Sequence, residues 1–286
     1  MSTWCRNEDE SPSAFFDRAL RLGFGALAWD ATLSPAFLAE AESELSARRE
    51  DLRVLVVEGP CPAPRGRRAP RLATADKEER RAALKGLEDT LTLAARVAAR
   101  VVVVKLGSLD VQTNWARLVR AFSRRSLDRS DVDALIAERA RLAPLALDLA
   151  RFGLDPLLHQ AQEKGLSVAL VNRARWFEIP ADMELGVLLE DFRGAPLAPW
   201  HDPAAAHARE ALGFGSAASL LAVHGKHARG AWLTDAVGLL GGLPWGRGEV
   251  DTGTVRSAIS PDAILAIHVA PGVTDDELAS SLTWGA

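Results

Sequence analysis

Cysteine is scarce in this chain of 286 residues. The two that occur, Cys5 and Cys61, are too few for a disulfide framework, and no CxxC pair suggests a zinc site. Long apolar runs are also missing, because no stretch approaches the roughly 20 residues of a membrane span. The first residues lack the basic start and apolar stretch of a signal peptide. We therefore expect a cytoplasmic protein that does not interact with a membrane.

No excess of charge of one sign is present either. The 34 Lys and Arg residues nearly balance 38 Asp and Glu residues, which leaves a formal net charge of -4. A nucleic-acid-binding protein usually carries a basic field, so we expect no nucleic-acid partner. Hydrophobic residues make up 48% of the chain, which is enough for a large core, and the length fits one TIM-type barrel.

Short apolar runs alternate with longer helical stretches along the chain, the pattern of a parallel sheet covered by helices. Four runs are continuously apolar, as expected of strands buried on both faces: Val54–Val57, Val101–Val104, Val168–Val171 and Ile264–Val269. Four weaker runs complete a set of eight: Ser2–Cys5, Gly25–Trp29, Leu197–Trp200 and Gly230–Thr234. We predict a single (β/α)8 TIM barrel spanning residues 1–286.

Helix signals separate the predicted strands. Ser11 and Pro12 read as an N-cap and first-turn proline of a helix that ends near Leu22. Further helices are predicted over Glu78–Ala99, Asp131–Arg151 and Met183–Phe192, with Gly153 as a stop signal after the second of these.

Two loops follow predicted strands, at the barrel end where binding surfaces usually lie. Pro60–Pro70 contains four prolines and the Arg65–Arg68 basic cluster, and Gly238–Glu249 is rich in glycine. A strip of arginines also precedes the Asp131–Arg151 helix: Arg117, Arg120, Arg124 and Arg125. These arginines predict either contact with an acidic partner or phosphate groups, or an ordinary solvated helix face.

Several phrases resemble the xylose-isomerase-like TIM barrels, the superfamily of sugar phosphate isomerases/epimerases and endonuclease IV. They are RLGFGALAW at 21–29, LVNRARWFEIP at 170–180, PWHDPAAAHA at 199–208, AWLTDAVGLL at 231–240, PWGRGEVD at 244–251 and VTDDELASSL at 273–282. The resemblance spans the chain but is specific only in its second half. It implies a (β/α)8 fold with a site at the carboxyl ends of the strands.

That family holds a divalent metal through Glu, Asp and His at its strand ends, where the metal polarises a carbonyl or hydroxyl. Aligned on the same phrases, this chain has other residues at those positions: Lys105, Val171, Ala205, Trp232, Gly242 and Ala266. We therefore expect no cofactor and a non-catalytic relative of metal-dependent sugar phosphate isomerases/epimerases. It would act as a protein-interaction or ligand-binding subunit, with a protein partner and a possible small-molecule ligand at the barrel mouth.

The alternative is an active sugar isomerase/epimerase. A rebuilt metal site would draw on Asp202, Asp235, His207 and His268, with a divalent metal as its cofactor. Metal-free acid–base chemistry would instead use Asp202, Asp235 and Lys105. Against both stands the possibility that backbone N–H groups, Arg173 or Arg247 engage the two aspartates.

Ligand-binding candidates at the mouth are Asn172, Arg173, Trp200, Trp232, Trp245 and Arg247. The tryptophans, with Trp29, lie near predicted strand ends, where they either line a pocket or fill the space that a metal would need. An enzyme requires an open pocket with converging polar groups, whereas a non-catalytic protein tolerates a mouth plugged by Trp232.

Overall fold

Strands and helices alternate along the computed structural model, which describes residues 1–64, 69–112 and 114–282. The strands are β1 (Ala26–Trp29), β2 (Arg53–Gly59), β3 (Val101–Val104), β4 (Gly107–Ser108), β5 (Ser167–Val171), β6 (Glu178–Ile179), β7 (Leu197–His201), β8 (Gly230–Leu233), β9 (Asp235–Val237), β10 (Leu240–Leu243) and β11 (Ile264–Ile267). The helices are α1 (Pro12–Arg21), α2 (Pro35–Ala47), α3 (Lys77–Arg96), α4 (Trp115–Ser123), α5 (Arg129–Glu163), α6 (Asp182–Asp191), α7 (Pro203–Ala211), α8 (Ala217–His224), α9 (Thr252–Ala258) and α10 (Asp275–Ser280). The Arg65–Arg68 cluster lies outside the described residues.

Seven of these strands form one parallel sheet in the order β1-β2-β3-β5-β7-β8-β11. The sheet curves into a nearly closed barrel with helices outside it, so the predicted TIM-barrel fold is confirmed. The two valine runs in β2 and β3 are buried, as their continuous apolar character predicts.

The segment Ser2–Cys5 was predicted as a strand, and this prediction was wrong. Ser2 forms one isolated parallel bridge with Ala28, and its N–H donates to the Ile267 carbonyl at 2.8 Å, so it lies between the first and last strands of the ladder. Thr3–Cys5 then turns into a 3-10 helix because the Ser2 hydroxyl caps it, accepting from the Trp4 N–H. One bridge therefore stands where an eighth strand was expected.

The barrel interior holds an apolar cluster separate from the larger core between sheet and helices. Its buried members are Ala28, Val56, Val101, Val103, Ala169, Val171, Trp200, Trp232 and Ala266. Trp200 and Trp232 pack with ring centroids 4.8 Å apart and fill much of this space. The interior is therefore a packed layer of side chains, as is usual for such barrels.

The predicted helices appear as α1, α3, α5 and α6, but α5 is much longer than expected. It runs through Gly153 to Glu163, so the predicted stop was wrong. A Cβ at Gly153 would lie 2.8 Å from the Leu72 side chain, so this glycine allows a close approach between helix and loop. No helix in the described ranges is long and apolar enough to cross a membrane.

Two small antiparallel pairs stand beyond the carboxyl ends of the barrel strands. One joins β4 to β6, and the other joins β9 to β10. Strand β10 lies within the glycine-rich region Gly238–Glu249 that was predicted as a loop, and β9 directly precedes that region. Together the two pairs form walls beside the barrel mouth.

Candidate functional site

A cavity of about 400 Å³ opens at the carboxyl ends of the barrel strands. Its polar and charged lining residues are Asp30, Thr32, Glu58, Lys105, Arg173, Arg175, Glu178, Asp202, Thr234 and His268. Trp4 and Trp232 contribute aromatic surface, and Gly241 and Gly242 from β10 form part of one wall. The cavity therefore combines groups from the ends of seven strands with groups from the loops above them.

An ion pair between Glu58 and Lys105 occupies one side of the cavity. Glu58 belongs to β2 and is buried, whereas Lys105 directly follows β3 and is 38% exposed. Burial pushes the pKa of Glu58 upward, but the charges near it, Lys105 first, and the hydrogen bond from Lys105 together hold that pKa below its ordinary range. The carboxylate is therefore ionised at neutral pH and committed to the lysine.

A second ion pair joins Arg173 to Glu178, with a nitrogen-to-oxygen distance of 2.6 Å. Arg173 follows β5, and the β4–β6 pair holds Glu178 above the barrel, where its carboxylate also accepts from the Arg175 N–H at 2.9 Å. Burial acts to raise the pKa of Glu178, but the Arg173 charge and the hydrogen bonds from Arg173 and the Arg175 N–H together lower it below its ordinary range. Both partners are thus charged inside the cavity.

Asp202 lies at the junction of β7 and α7. One carboxylate oxygen caps α7 by accepting from the Ala205 N–H at 2.9 Å. The Asn172 side chain fixes the backbone of Asp202 through two hydrogen bonds of 2.7 and 2.9 Å. Burial raises the pKa of Asp202, and its hydrogen bond and the Arg173 charge only partly oppose this rise. Asp202, like Asp30, forms no direct ion pair with a cation in the described part of the chain.

Thr234 and Asp30 add polar atoms to the same cavity. The Thr234 side chain is buried, and its hydroxyl has no hydrogen-bond partner within the described residues. Asp30 is fully engaged, because its carboxylate accepts from the Thr3 hydroxyl at 2.6 Å and from the Thr32 N–H at 2.7 Å. Thr234 is thus available to a bound ligand, whereas Asp30 supports the wall.

His268 forms the centre of an aromatic stack at the cavity floor. Its ring stacks on Trp4 at 4.4 Å and on Trp232 at 4.5 Å between centroids, and Trp232 in turn packs on Trp200. Burial lowers the pKa of His268 to about 4. The imidazole is therefore neutral near pH 7, with one ring nitrogen 3.0 Å from the Ser2 hydroxyl.

Asp235 does not line the cavity, although it follows β8 much as Asp202 follows β7. Its fully buried carboxylate accepts four backbone N–H groups, from Ala236, Gly246, Gly248 and Val250, at 2.8 to 3.0 Å. A Cβ at Gly248 would lie 2.3 Å from the Ala236 carbonyl oxygen, so the loop closes tightly around this aspartate. Asp235 organises the loop after β10.

The remaining candidates from the sequence lie in three kinds of position. His207 is on α7 and pairs with Glu249 at 3.2 Å, outside the cavity. Trp200 and Asn172 are buried and take no part in the cavity lining. Trp245 is half-buried against neighbouring apolar clusters, and Arg247 is exposed. Of the predicted residues, the cavity gathers Lys105, Arg173, Asp202, Trp232 and His268.

The resemblance noted in the sequence implies a divalent metal, and the described residues of the cavity do not fit one. Among them, no group of three or more His, Cys, Asp or Glu side chains could hold a metal ion. Of the four residues of the rebuilt metal site, only Asp202 and His268 reach the cavity. The carboxylates of Glu58 and Glu178 are already paired with cations.

Several cavity residues were not predicted from the sequence. Asp30 and Glu58 could have been found, because they stand at or beyond the ends of apolar runs, as Lys105 does. Glu178 and Trp4 gave no such signal, since one belongs to a two-residue strand in a loop and the other to a 3-10 helix.

Comparison with known proteins shows the fold. No protein-family model matches the chain, and no curated protein matches it. The crystal structure of 3-keto-D-glucoside 4-epimerase, YcjR, from E. coli matches 99% of this chain and 97% of its own, with 15% identity and a TM-score of 0.67. The IOLI protein with a binding zinc atom matches 99% and 94%, with 11% identity and a TM-score of 0.69. A xylose isomerase domain protein from Planctomyces limnophilus matches 93% and 88%, with 15% identity and a TM-score of 0.61.

These structural neighbours include sugar epimerases and isomerases of the xylose-isomerase-like TIM-barrel fold. At identities this low, the likeness extends to the architecture of the chain. Function has to be argued from the cavity itself.

Proposed function

We propose that this chain binds a small, sugar-like polyol at its barrel mouth without a metal ion, as a non-catalytic relative of the sugar epimerases and isomerases. The observation that carries this proposal is the cavity of about 400 Å³ with two internal ion pairs, Glu58–Lys105 and Arg173–Glu178. A volume of this size lies within the usual range for small-molecule pockets.

The charge pattern favours a neutral ligand rich in hydroxyl groups. Since each ion pair satisfies its own charges, neither needs a counter-ion from the ligand, yet its atoms can still exchange hydrogen bonds with hydroxyls. Asp202 adds an acceptor, and the unpartnered hydroxyl of Thr234 adds a group that can donate or accept. The partly exposed ring of Trp4 provides apolar surface for the C–H face of a sugar ring.

The lining of the cavity supports a role without metal-dependent catalysis. Metal-dependent epimerisation requires a Lewis acid to stabilise developing negative charge. The strand-end positions that would supply its ligands by resemblance hold Val171, Ala205, Trp232 and Ala266, and three of these belong to the apolar interior. Trp232 covers the top of that interior and leaves the cavity above it open, so the cavity can still bind a small molecule.

Calorimetric titration with D-glucose and D-fructose, with and without EDTA, tests this proposal. We expect saturable 1:1 binding that EDTA leaves unchanged and that weakens about tenfold or more in Asp202→Asn. The exposed Arg247→Gln substitution is the matched control and should bind as the parent does. Absence of binding by both sugars, or binding only with added divalent metal, would overturn the proposal.

Metal-free acid–base catalysis is a second candidate, and the raised pKa of Asp202 favours it. Burial brings this carboxyl closer to neutral pH, where a general base is effective. The carboxylate would take a proton from the carbon beside a ligand carbonyl and return it, while the Lys105 ammonium stabilises the enolate oxygen. Asp235 has no place in this reaction because its carboxylate lies outside the cavity.

Proton exchange distinguishes the two candidates. A bound keto-sugar incubated in D₂O with the protein would gain deuterium at the carbon beside its carbonyl only if this chemistry operates. NMR should show no incorporation above the rate in buffer if the protein only binds. Incorporation that is lost in Asp202→Asn would establish the catalytic alternative.

A further inference from the structure

The arginine strip borders a groove on the outer surface, away from the barrel cavity. The groove has a volume of about 750 Å³ and lies between α4 and the first turns of α5. Arg117, Arg120 and Arg124 line one side, and Asp131, Ala134 and Leu135 line the other. We propose that this groove docks an acidic, partly apolar segment of a partner protein.

The first support is a set of cations without partners. Within the described part of the chain, Arg117, Arg120 and Arg124 are exposed and form no ion pair, whereas nearby Arg129 pairs with Asp133 at 2.9 Å. The one acidic residue of the groove, Asp131, is already engaged, because its carboxylate accepts from the Asp128 N–H at 3.2 Å. The groove therefore presents positive charge on a chain whose net charge is -4.

Spacing along α4 is the second support. Arg117, Arg120 and Arg124 are separated by three and four residues, so they project from one face of the helix. At a rise of 1.5 Å per residue they span about 10 Å along its axis. In an extended peptide, alternate side chains on one face are about 6.6 Å apart, so two or three alternating acidic residues match this span.

The groove floor supplies the apolar contact. Leu118, Leu127 and Leu135 are half-buried there, and Trp176 lies beneath with an indole N–H that has no hydrogen-bond partner in the described residues. Helix α4 has no fully buried residue. Its apolar side chains, such as Val119 and Phe122, pack against a buried cluster of the chain, whereas its arginines face the groove. Acidic side chains would pair with the arginines and alternate apolar ones would enter the floor.

A nucleic-acid strand fits this groove less well. Proteins that hold single strands usually stack bases on exposed aromatic rings. Among the described residues that line this groove, the one aromatic side chain is Trp176, which is only 1% exposed and offers no stacking face. An acidic peptide needs no such platform.

Fluorescence anisotropy tests the proposal with a labelled eight-residue peptide of alternating Glu and Leu. We expect 1:1 binding that weakens with added salt and falls about tenfold or more in Arg120→Glu/Arg124→Glu. The matched control is Arg49→Glu/Arg53→Glu, which makes the same charge change at exposed arginines of a different groove. The control should bind within about twofold of the parent.

Three results would overturn the proposal. Equal loss in both charge-reversed variants would mean that only the overall charge matters. Equal binding of a Gln-Leu peptide would remove the role of the arginines. Tighter binding of a single-stranded oligonucleotide than of the acidic peptide would assign the groove to nucleic acid. Circular dichroism of each variant confirms that the fold is kept.

Discussion

The barrel interior and the cavity directly above it are built from opposite chemistries. The interior cluster is apolar, with Val171, Ala266 and two packed tryptophans. The cavity one layer higher contains two ion pairs and Asp202, whose carboxylate caps α7 and forms no ion pair in the described residues. The difference shows that the side chains that pack the barrel and those available to a ligand lie in adjacent layers. Trp232 and His268 lie at the boundary between these layers.

Removing the boundary tryptophan should produce the largest effect. Trp232→Ala deletes a 2%-exposed indole that packs on Trp200 and His268, so we expect a loss of about 3–5 kcal/mol in the free energy of unfolding. Urea denaturation measures it. Trp245→Ala, at a half-buried position, is the control and should cost clearly less. A larger cost at Trp245 would mean that the interior layer is not the main source of stability.

Breaking an ion pair above the layer should cost less. Lys105→Met leaves Glu58 buried without its cation, and because Lys105 is partly exposed we expect a loss of about 2 kcal/mol at pH 7. In the parent, the lowered pKa of Glu58 adds stability that is lost as pH falls from the ordinary glutamate range through its lower folded value. In the variant burial raises that pKa, so stability should instead increase as pH falls.

The double variant Glu58→Gln/Lys105→Met is the control for this experiment, since it removes both charges. It should recover much of the stability in urea denaturation and lose the pH dependence of the single variant. Equal stability of the single and double variants at every pH would show that the cavity charges are not coupled.

The third effect appears only as the pH falls below neutral, and it concerns the buried histidine at the boundary. Its folded pKa of about 4 lies below its usual value of about 6.5, so the unfolded chain binds the proton first and stability falls as pH drops between these values. His268→Gln should reduce this slope by about 1.4 kcal/mol per pH unit. Denaturation curves collected from pH 7 to pH 4 measure it.

His201 provides the matched comparison, because burial lowers its pKa to about 3 without any stacking on Trp232. His201→Gln should reduce the slope by a similar amount, over a range that extends further toward low pH. An unchanged slope in His268→Gln would mean that the stacked imidazole is protonated as readily in the folded chain as in the unfolded one.

The barrel was predictable from the sequence because its strands are buried on both faces. Runs such as Val101–Val104 give a signal that needs no knowledge of tertiary contacts. Two features were not predictable: the continuation of α5 through Gly153 and the 3-10 helix at Thr3–Cys5. The first depends on a contact distant in sequence, and the second depends on a local cap. Gly153 fits against Leu72, and the Ser2 hydroxyl turns the following residues into a 3-10 helix.

Part of the candidate site was predictable by the rule that polar residues after strands face the barrel mouth. Lys105 and Asp202 obey it and line the cavity. Asp235 has the same sequence signal, yet four backbone N–H groups bind its carboxylate in the adjacent loop. Sequence spacing does not reveal which strand-end carboxylate the backbone will engage, because that depends on how a glycine-rich loop closes.

The stack of Trp4, His268 and Trp232 places two tryptophan fluorophores at the cavity, so intrinsic fluorescence can report what happens there. The chain has eight tryptophans and no tyrosine, so its ultraviolet emission comes from indole rings, and two of the eight line the proposed binding site. Indole emission responds to the polarity and charge of its surroundings. A molecule that enters the cavity displaces solvent beside these two rings, so its arrival can be followed by light without attaching any label to the protein.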